Sequence, residues 1–377
     1  MEPIRILQVV TIMNRGGLET MLMNYYRQID RSKIQFDFMV HRAEAGRYDA
    51  EILKLGGRIF YMPSIRPGNY RKYFRLLDQF FSTHSEYKVV HSHINENSSF
   101  VLRAAKRAGV PGRIAHSHSS VFDIDIKLPF RLYAKYMMKS NPSDYFACSK
   151  LAGEWLFGKK KSESNNFTVL KNAINAKEYA FNQSTRKTTR NSLEISNKLV
   201  IGHIGTFYKP KNHEFIIDIF YELQKIHPNS LLLLVGVGQL KATIEKKVKR
   251  LGLTKKVRFL GVREDIPNLL HAMDLFLFPS LFEGLPVVLV EAQTVGVQCL
   301  VSNSITKESD ITGSLSFMSL KESPEKWAKK ILSLSYKHAD NIDLMTKKGY
   351  DTTANAKWLT AFYNHYHSEN ETLAGGF

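Results

Sequence analysis

The sequence predicts a two-domain α/β fold in which helices cover two parallel β-sheets. Short apolar runs rich in β-branched residues alternate with longer segments of helical periodicity, which is the pattern of parallel sheets wrapped by helices. The alternation pauses at a polar stretch, 182–197, which we interpret as an interdomain link or surface loop, and the length of 377 residues favours two domains. We expect one domain at 1–180 and a second at 181–355, with a C-terminal helix at about 356–370 that packs back on the first.

The apolar runs give the predicted strands in chain order. In the first domain they are 4–10, 36–40, 58–62, 89–92, 112–116 and 145–148. In the second they are 199–205, 231–236, 257–261, 275–279 and 298–302. Ligands of open parallel sheets bind beyond the carboxyl ends of the strands. The loops that follow these runs are therefore the places to look for a site.

Charge and cysteine content narrow the possible partners and setting. Lys and Arg number 53 against 35 Asp and Glu, a net charge of +18, which favours an anionic partner such as nucleic acid, a nucleotide or an anionic membrane surface. The two cysteines form no CxxC pair, which favours a reducing, cytosolic setting. No apolar run approaches the ~18 residues of a membrane-spanning helix, so we expect any membrane association to be at the surface.

The loops of the first domain carry glycine and histidine. Gly16 and Gly17 follow the first strand, and paired glycines let the backbone approach a ligand closely, although an ordinary glycine turn is an alternative. Two His-Ser-His motifs end at His93 and His118. Alternate residues of a strand share a face, as metal ligands do, but no acidic or cysteine partner completes a site by spacing. We therefore predict no metal site.

Two basic clusters also lie in the first domain. One is a stripe at helical spacing, formed by Lys127, Arg131, Lys135 and Lys139. The other is interleaved with aromatic residues and consists of Arg66, Arg71, Lys72 and Arg75. Solvated helix faces would explain both. Docking on an anionic leaflet is the functional alternative, at roughly 1 kcal/mol for each cation near the surface.

The second domain carries two motifs at strand ends. After the strand at 199–205, Lys211 lies where a helix begins, and a cation there can neutralise the charge of a leaving diphosphate; a solvated loop lysine is the alternative. After the strand at 275–279, Glu283 precedes a helix that contains Glu291. A helix N-terminus suits a diphosphate and a preceding glutamate can accept hydrogen bonds from sugar hydroxyls, whereas simple helix-terminal acids are the alternative.

Together these residues resemble the retaining glycosyltransferases of family 4, the group 1 transferases. Glu283 and Glu291 match the E-x7-E signature of that family, and the resemblance covers nearly the whole chain, in particular to enzymes of exopolysaccharide and capsular polysaccharide biosynthesis. It implies the GT-B fold, in which two Rossmann-like domains have parallel sheets that face each other across a cleft.

The resemblance also implies roles for individual residues. Glu283 would bind hydroxyls of the donor sugar, Lys211 the leaving diphosphate, and His118 a sugar hydroxyl. Glu291 would bind the ribose. The rest of the donor site would be formed by Gly16, Gly17, Thr206, Val262, Arg263, Gly284, Leu285, Pro286 and Val287. Thr206 departs from the family pattern, which usually has an arginine there, and Lys209 is a nearby cation that could compensate.

The function implied by the resemblance is that of a retaining hexosyltransferase. It would move a sugar from a nucleotide sugar, which we expect to be UDP-linked, to a lipid-linked or growing polysaccharide acceptor, without a metal or cofactor. We expect it in the cytoplasm, peripheral on the inner face of the plasma membrane, and without a nucleic-acid partner. The alternative is an anionic-polymer or nucleic-acid binding protein without transferase activity, which the charge favours but no recognisable motif supports.

Overall fold

The computed structural model describes residues 2–66, 68–118, 128–283 and 285–374, with side chains as far as residue 367. Contacts divide the chain into two compact units. The first unit is Met1–Ala173 together with Thr352–Phe377, and the second unit is Ile174–Asp351.

The strands are short and almost entirely buried at the sheet centres. In chain order they are β1 (Ile4–Val10), β2 (Ile34–Val40), β3 (Ile59–Tyr61), β4 (Val89–Ser92), β5 (Gly112–Ser117), β6 (Asp144–Ala147), β7 (Phe167–Val169), β8 (Leu199–Ile204), β9 (Ser230–Val235), β10 (Val257–Gly261), β11 (Leu275–Phe278), β12 (Gln298–Ser302) and β13 (Leu315–Met318).

The helices connect these strands. In chain order they are α1 (Gly17–Gln28), α2 (Asp49–Lys54), α3 (Tyr70–Thr83), α4 (Ser98–Arg107), α5 (Leu128–Met137), α6 (Lys150–Phe157), α7 (Lys159–Ser162), α8 (Gln183–Ser192), α9 (His213–Ile226), α10 (Lys241–Arg250), α11 (Ile266–Ala272), α12 (Val287–Val295), α13 (Pro324–Leu332), α14 (Ile342–Lys347) and α15 (Thr352–Ala374).

Each unit is built around one parallel sheet. Among the described residues, the first unit has seven strands in the order β3-β2-β1-β4-β5-β6-β7, and the second has six in the order β10-β9-β8-β11-β12-β13. The predicted α/β class is therefore confirmed. The strand order reverses between β1 and β4 and between β8 and β11, and in open parallel sheets such switch points form the ligand crevice at the carboxyl ends of the strands.

The polar stretch 182–197 is not a link between the units. It forms α8 inside the second unit, and Asn182 caps this helix by accepting a hydrogen bond from the Thr185 N–H at 2.9 Å. The helix has few apolar side chains because its buried contacts are made by Arg186 and Arg190, which both bind Asp274. The interpretation as an interdomain link was wrong because long arginines replace the apolar face that marks most packed helices.

The C-terminal helix α15 belongs to the first unit. Ala356, Leu359 and Tyr363 are buried in the hydrophobic core of that unit together with residues of β1 and β2. Trp358 of the same helix is 44% exposed because it lies to the side of this buried stripe. Its ring packs on Phe362 at 5.5 Å between centroids.

Candidate active site

The switch point of the second unit brings Lys211 and Glu283 together. Lys211 follows β8 and Glu283 follows β11, and the Lys211 Nζ lies 2.6 Å from the Glu283 Oε1. Each of these side chains is only 17% exposed. The ammonium also lies 4.8 Å from the centre of the Phe278 ring, so a carboxylate and an aromatic face both stabilise its charge.

Two hydrogen bonds hold the loops that carry this pair. The Leu281 N–H donates to the Pro210 carbonyl at 2.8 Å, and the Asn212 side-chain amide donates to the Pro279 carbonyl at 3.0 Å. Asn212 has a left-handed backbone with φ 55°, which ends the short turn at Lys209–Lys211 before α9 begins. The position of Lys211 is therefore set by contacts within the loops.

Glycines allow the neighbouring loops to pack at this edge of the sheet. A Cβ on Gly236 would lie 2.1 Å from the Gly205 carbonyl oxygen, and one on Gly238 would lie 2.7 Å from the backbone of Phe207. Both glycines have positive φ. They bring the loop after β9 against the loop after β8. This close packing explains why glycine occupies both positions.

Helix α12 directs its N-terminus to the same edge. It begins at Val287 after Pro286, which has no side-chain acceptor for the first-turn N–H groups. Gly284 lies outside the described residues, and Leu285 is half-buried. A helix start of this kind attracts an anion through its N–H groups and its partial positive charge.

Glu291 is a buried carboxyl inside α12. Its side chain accepts a hydrogen bond from the Tyr179 hydroxyl at 2.9 Å. Burial raises the pKa of Glu291 to about 7, although the Tyr179 hydrogen bond lowers it. Sequence reasoning missed Tyr179, because it lies in a short turn far from the motif and only the fold brings it to α12.

The remaining predicted donor residues of the second unit lie at strand ends. Thr206 is exposed just beyond β8, and Val262 is 40% exposed just beyond β10. The guanidinium of Arg263 donates to both carboxylate oxygens of Asp265, at 2.7 and 2.6 Å. The Arg263 side chain is thus engaged within its own loop, and the predicted nucleotide contact through backbone groups stays a prediction.

The paired glycines of the first unit stand at the start of α1. Gly16 is the N-cap, and a Cβ there would lie 2.3 Å from a carboxylate oxygen of Glu19. A Cβ on Gly17 would meet nothing within 4 Å among the described residues. Burial raises the pKa of Glu19. A side chain at Gly16 would therefore displace the flexible end of Glu19, whereas Gly17 leaves open space.

His118 ends β5 in a cluster of histidines. Its Nε2 lies 3.0 Å from the His93 Nδ1, and its backbone N–H donates to the Asn95 side-chain oxygen at 3.0 Å. Burial lowers the pKa of His118 to about 3, so the ring is neutral. Asn95 has a left-handed backbone with φ 46°, as residues that shape a site often do.

The same cluster contains the geometry of a possible metal site. His91, His93 and His116 each bring a ring nitrogen within 4.8 Å of the others, in the part of the chain that the structure describes. These rings are also hydrogen-bonded to each other and to their neighbours, with 3.0 Å between the His91 Nε2 and the His116 Nδ1. The prediction of no metal site stays a prediction.

The predicted basic stripe does not form one exposed face. Lys127 lies outside the described residues. Arg131 lies 3.8 Å from Glu96 with 17% of its side chain exposed, and the Lys135 ammonium donates to the Trp155 carbonyl. Burial lowers the pKa of Lys135. The helical spacing predicted that these cations share one exposed face. In the structure, Arg131 and Lys135 instead contact acceptor groups of the protein.

The exposed face of α5 is instead largely apolar. Leu132, Tyr133 and Tyr136 are 51%, 54% and 65% exposed. Lys139 is exposed just beyond the helix, with its ammonium 5.0 Å from the Tyr136 ring centre. Among the described residues, no helix combines the length and the apolar composition that crossing a membrane requires.

Comparisons with known proteins identify relatives along the whole chain. Residues 185–344 match the family model described as glycosyl transferases group 1. The putative glycosyltransferase EpsF of Bacillus subtilis is 36% identical over 369 residues, covering 96% of each chain. CapH of Staphylococcus aureus, a capsular polysaccharide biosynthesis glycosyltransferase, is 25% identical over 88% of this chain and 90% of its own.

A third relative is named for its donor and acceptor. It is the UDP-Gal:alpha-D-GlcNAc-diphosphoundecaprenol alpha-1,3-galactosyltransferase of Escherichia coli, which is 26% identical over 58% of each chain. Among solved structures, Anabaena HepE in complex with UDP has a TM-score of 0.72 at 19% identity, over 98% of this chain and 99% of its own. The HepE complex with UDP-glucose has a TM-score of 0.70 at 20% identity, over the same shares of the two chains. The likeness shows the GT-B fold.

Proposed function

Because the chain belongs to the group 1 glycosyltransferases, we propose that it transfers a hexosyl group from a UDP-linked sugar with retention of the anomeric configuration. The acceptor is a lipid-linked or growing polysaccharide of exopolysaccharide or capsule biosynthesis. The donor is a substrate, and the reaction needs neither a metal nor a cofactor.

The pairing of Lys211 with Glu283 carries this proposal. The pair stands at the switch point of the second sheet, and α12 starts four residues after Glu283. Lys211 and the N-terminus of α12 supply positive charge for a diphosphate, and Glu283 supplies acceptors for sugar hydroxyls. Lys211 and Glu283 neutralise each other in this ion pair, and a bound donor would replace it with phosphate contacts to Lys211 and hydroxyl contacts to Glu283.

The proposed reaction replaces one bond to the anomeric carbon with another. The bond from that carbon to the β-phosphate oxygen breaks, and the bond to the acceptor oxygen forms on the same face of the sugar. The acceptor proton passes to the leaving diphosphate oxygen, and UDP is released. Lys211 stabilises the negative charge that develops on the diphosphate, which is the electrostatic part of the work.

The names of relatives support the donor and acceptor classes. HepE structures contain UDP and UDP-glucose. The Escherichia coli relative is named for UDP-galactose and for an acceptor on diphosphoundecaprenol, and CapH is named for capsular polysaccharide. For this chain, a UDP-hexose and a polyprenyl diphosphate-linked sugar are the substrates that we propose to test first.

A lipid-linked acceptor requires access to a membrane, and we propose α5 as the docking element. The exposed Leu132, Tyr133 and Tyr136 have the amphipathic character of side chains at a membrane interface. Phe130 of α5 stacks on Tyr70 at 5.4 Å, which brings the start of α3 next to α5. Arg71, Lys72 and Arg75 of α3 are all exposed and attract an anionic surface.

The test is a panel of UDP-, GDP- and ADP-hexoses, each offered with a polyprenyl diphosphate-linked sugar. Product formation and the anomeric configuration of the product are measured by mass spectrometry and NMR. We expect transfer from a UDP-hexose with retention. The proposal would be contradicted if no nucleotide sugar stabilised the protein, or if the product had the inverted anomeric configuration.

Matched variants test the two charged residues. We expect Glu283→Gln and Lys211→Met each to lower kcat by about a hundredfold or more, because each removes a charge next to the reacting phosphate or sugar. Lys247→Met is the control, since the Lys247 side chain is as shielded as that of Lys211 and its ammonium pairs with the more exposed Asp218 at 2.7 Å elsewhere in the same unit. An equal loss of kcat in the control would assign the effect to folding.

A further inference from the structure

We propose that Gln8 and His93 position the ring of His118 and fix its tautomer, so that the His118 Nδ1 accepts a hydrogen bond from a hydroxyl of the donor sugar. This inference rests on the proposed function and adds two positioning residues to it. The family resemblance gave neither of them a role in the donor site, and both are buried in the first unit.

Three neighbouring strands bring these residues into one line. Gln8 lies in β1, His93 directly follows β4 and His118 directly follows β5, and these strands are adjacent in the sheet. The His93 Nε2 lies 2.8 Å from the Gln8 Oε1, and the His93 Nδ1 lies 3.0 Å from the His118 Nε2. His93 therefore bridges a strand residue and the predicted sugar-contacting histidine.

The direction of each hydrogen bond follows from the amide of Gln8. Its Nε2 donates to the Tyr363 hydroxyl at 3.4 Å, so its Oε1 accepts from His93, whose proton must lie on Nε2. Burial holds the pKa of His93 well below its ordinary value, so the ring is neutral and its Nδ1 is an acceptor. His118 then donates from Nε2, which leaves its Nδ1 without a proton.

A second branch from Tyr363 is consistent with this direction. The Tyr363 hydroxyl lies 2.8 Å from the His91 Nδ1, and the His91 Nε2 lies 3.0 Å from the His116 Nδ1, so the hydroxyl can donate to His91 while it accepts from Gln8. The rings of this branch stack beside the first one, with 4.3 Å between the centroids of His91 and His93. Both branches therefore leave Tyr363 and Gln8 with compatible proton positions.

The arrangement gives His118 a defined chemical character. Its backbone N–H is held by Asn95 and its Nε2 by His93, so the ring has little freedom to rotate. Because the pKa of His118 is about 3, the ring stays neutral throughout the physiological pH range. A sugar hydroxyl must donate to it, whereas the opposite tautomer would offer a proton in place of a lone pair.

The tautomer can be measured directly on the full chain labelled with 15N-histidine. NMR of the ring nitrogens, with the His118 signals assigned from their loss in His118→Gln, should show a proton on Nε2 and none on Nδ1 at pH 6 and at pH 8. A proton on Nδ1 would overturn the inference. So would replacement of these signals on addition of Zn²⁺, reversed by a chelator, since the cluster would then be a metal site.

Gln8→Glu should reverse the tautomer. A carboxylate beside His93 favours the imidazolium, whose Nδ1 proton is then donated to the His118 Nε2, so the His118 proton must move to Nδ1. We expect kcat to fall by about ten- to a hundredfold at pH 6.5 with a nearly unchanged donor KM, and to recover as the pH rises. The wild-type protein should show no such recovery.

Gln35→Glu is the matched control. Gln35 is a buried glutamine on the adjacent strand β2, and its Oε1 accepts from the Tyr26 hydroxyl, so the same substitution there meets no histidine. His93→Asn keeps an acceptor oxygen near the position of the Nδ1 and should retain most of the activity. His93→Leu has no acceptor there and should lose the activity. Equal pH profiles for Gln8→Glu and Gln35→Glu, or equal activity of the two His93 variants, would overturn the inference.

The two levels of the proposal fail in different ways. Transfer by the wild type together with the wrong His118 tautomer removes the positioning role and leaves the proposed function intact. A correct tautomer without transfer from any donor in the panel overturns the proposed function, and the role of His118 in catalysis with it.

Discussion

At the scale of single residues, we expect the buried carboxyl of Glu291 to make UDP binding at the proposed site depend on pH. Its pKa of about 7 lies above the ordinary value of 4.5. The fold therefore favours the protonated form, and the stability that this contributes is complete below pH 4.5 and is lost as the pH rises through 7. The loss amounts to roughly 3 kcal/mol, from about 1.4 kcal/mol for each pKa unit.

UDP affinity should change in the opposite direction. A carboxylate accepts hydrogen bonds from two ribose hydroxyls better than a protonated carboxyl does, so the Kd for UDP should be about tenfold higher at pH 6 than at pH 8. Titration calorimetry at both pH values measures this ratio. Glu291→Gln is the control for ionisation of the ligand itself, and an equally steep pH dependence in that variant would remove Glu291 from the nucleotide site.

Thr206 shows how one position can depart from a family pattern while the site remains. It is exposed beyond β8, in the loop whose end carries Lys211. The pairing of Lys211 with Glu283 and the start of α12 do not depend on its side chain. In the proposed reaction the cationic contribution to diphosphate binding therefore comes mainly from Lys211 and from the helix N-terminus.

At the scale of elements, the loop between β8 and α9 depends on Asn212. Asn212→Gly keeps the left-handed backbone but loses the hydrogen bond to Pro279, and Asn212→Ala loses both. We expect the free energy of unfolding to fall by about 1 kcal/mol for Gly and about 2 kcal/mol for Ala, measured by denaturant titration. Both variants should also lower kcat, because Asn212 directly follows Lys211 and a change in this loop would displace the Lys211 ammonium.

A second left-handed residue provides the control for that prediction. Glu194 has φ 52° just after α8, away from the switch point. Neither Glu nor Ala favours a left-handed backbone, so Glu194→Ala should change stability little and leave kcat relative to the folded fraction unchanged. A kcat loss in Glu194→Ala as large as in Asn212→Ala would show that loop position does not matter to turnover.

The central strands could be predicted from the sequence because buried parallel strands are continuous apolar runs. The interior strands β1, β4 and β12 lie at the predicted bounds, and so does the edge strand β10. The edge strands β7 and β13 were not predicted, since they are short and mostly half-exposed, which weakens the apolar signal. Composition therefore predicts the buried strands, whereas short edge strands such as β7 and β13 depend on the neighbour that they pair with.

The candidate site was predictable only in part. Lys211 and Glu283 were nominated by their positions after predicted strands and by family resemblance, but their ion pair requires β8 and β11 to be neighbours, and spacing in the sequence does not determine strand order. Tyr179 had no sequence signal. A contact between His93 and His118 was not predicted, because the line from Gln8 to His118 exists only once β1, β4 and β5 are paired.

At the scale of the whole molecule, the net charge of +18 is not simply a binding surface. Arg186 and Arg190 stabilise α8 through Asp274, and Arg131 and Lys135 contact acceptors near α5. The positive charges of these four residues therefore form contacts within the protein. The cations of α3 are exposed, so they carry the electrostatic part of the proposed membrane docking.

Membrane docking should therefore depend on apolar contacts of α5 as well as on charge. We expect the full chain to cosediment with vesicles that contain phosphatidylglycerol, and Leu132→Ser with Tyr136→Ser to weaken this binding by about tenfold or more, since inserting one such side chain is worth ~1.5–3 kcal/mol. Leu53→Ser is the control, because Leu53 is 59% exposed on α2 of the same unit. High salt should weaken vesicle binding by the wild type, because it screens the α3 cations. The wild type should still bind more tightly than the α5 variant at high salt. Binding that disappears completely with salt and is indifferent to Leu132 and Tyr136 would show that charge alone attracts this protein to the vesicle.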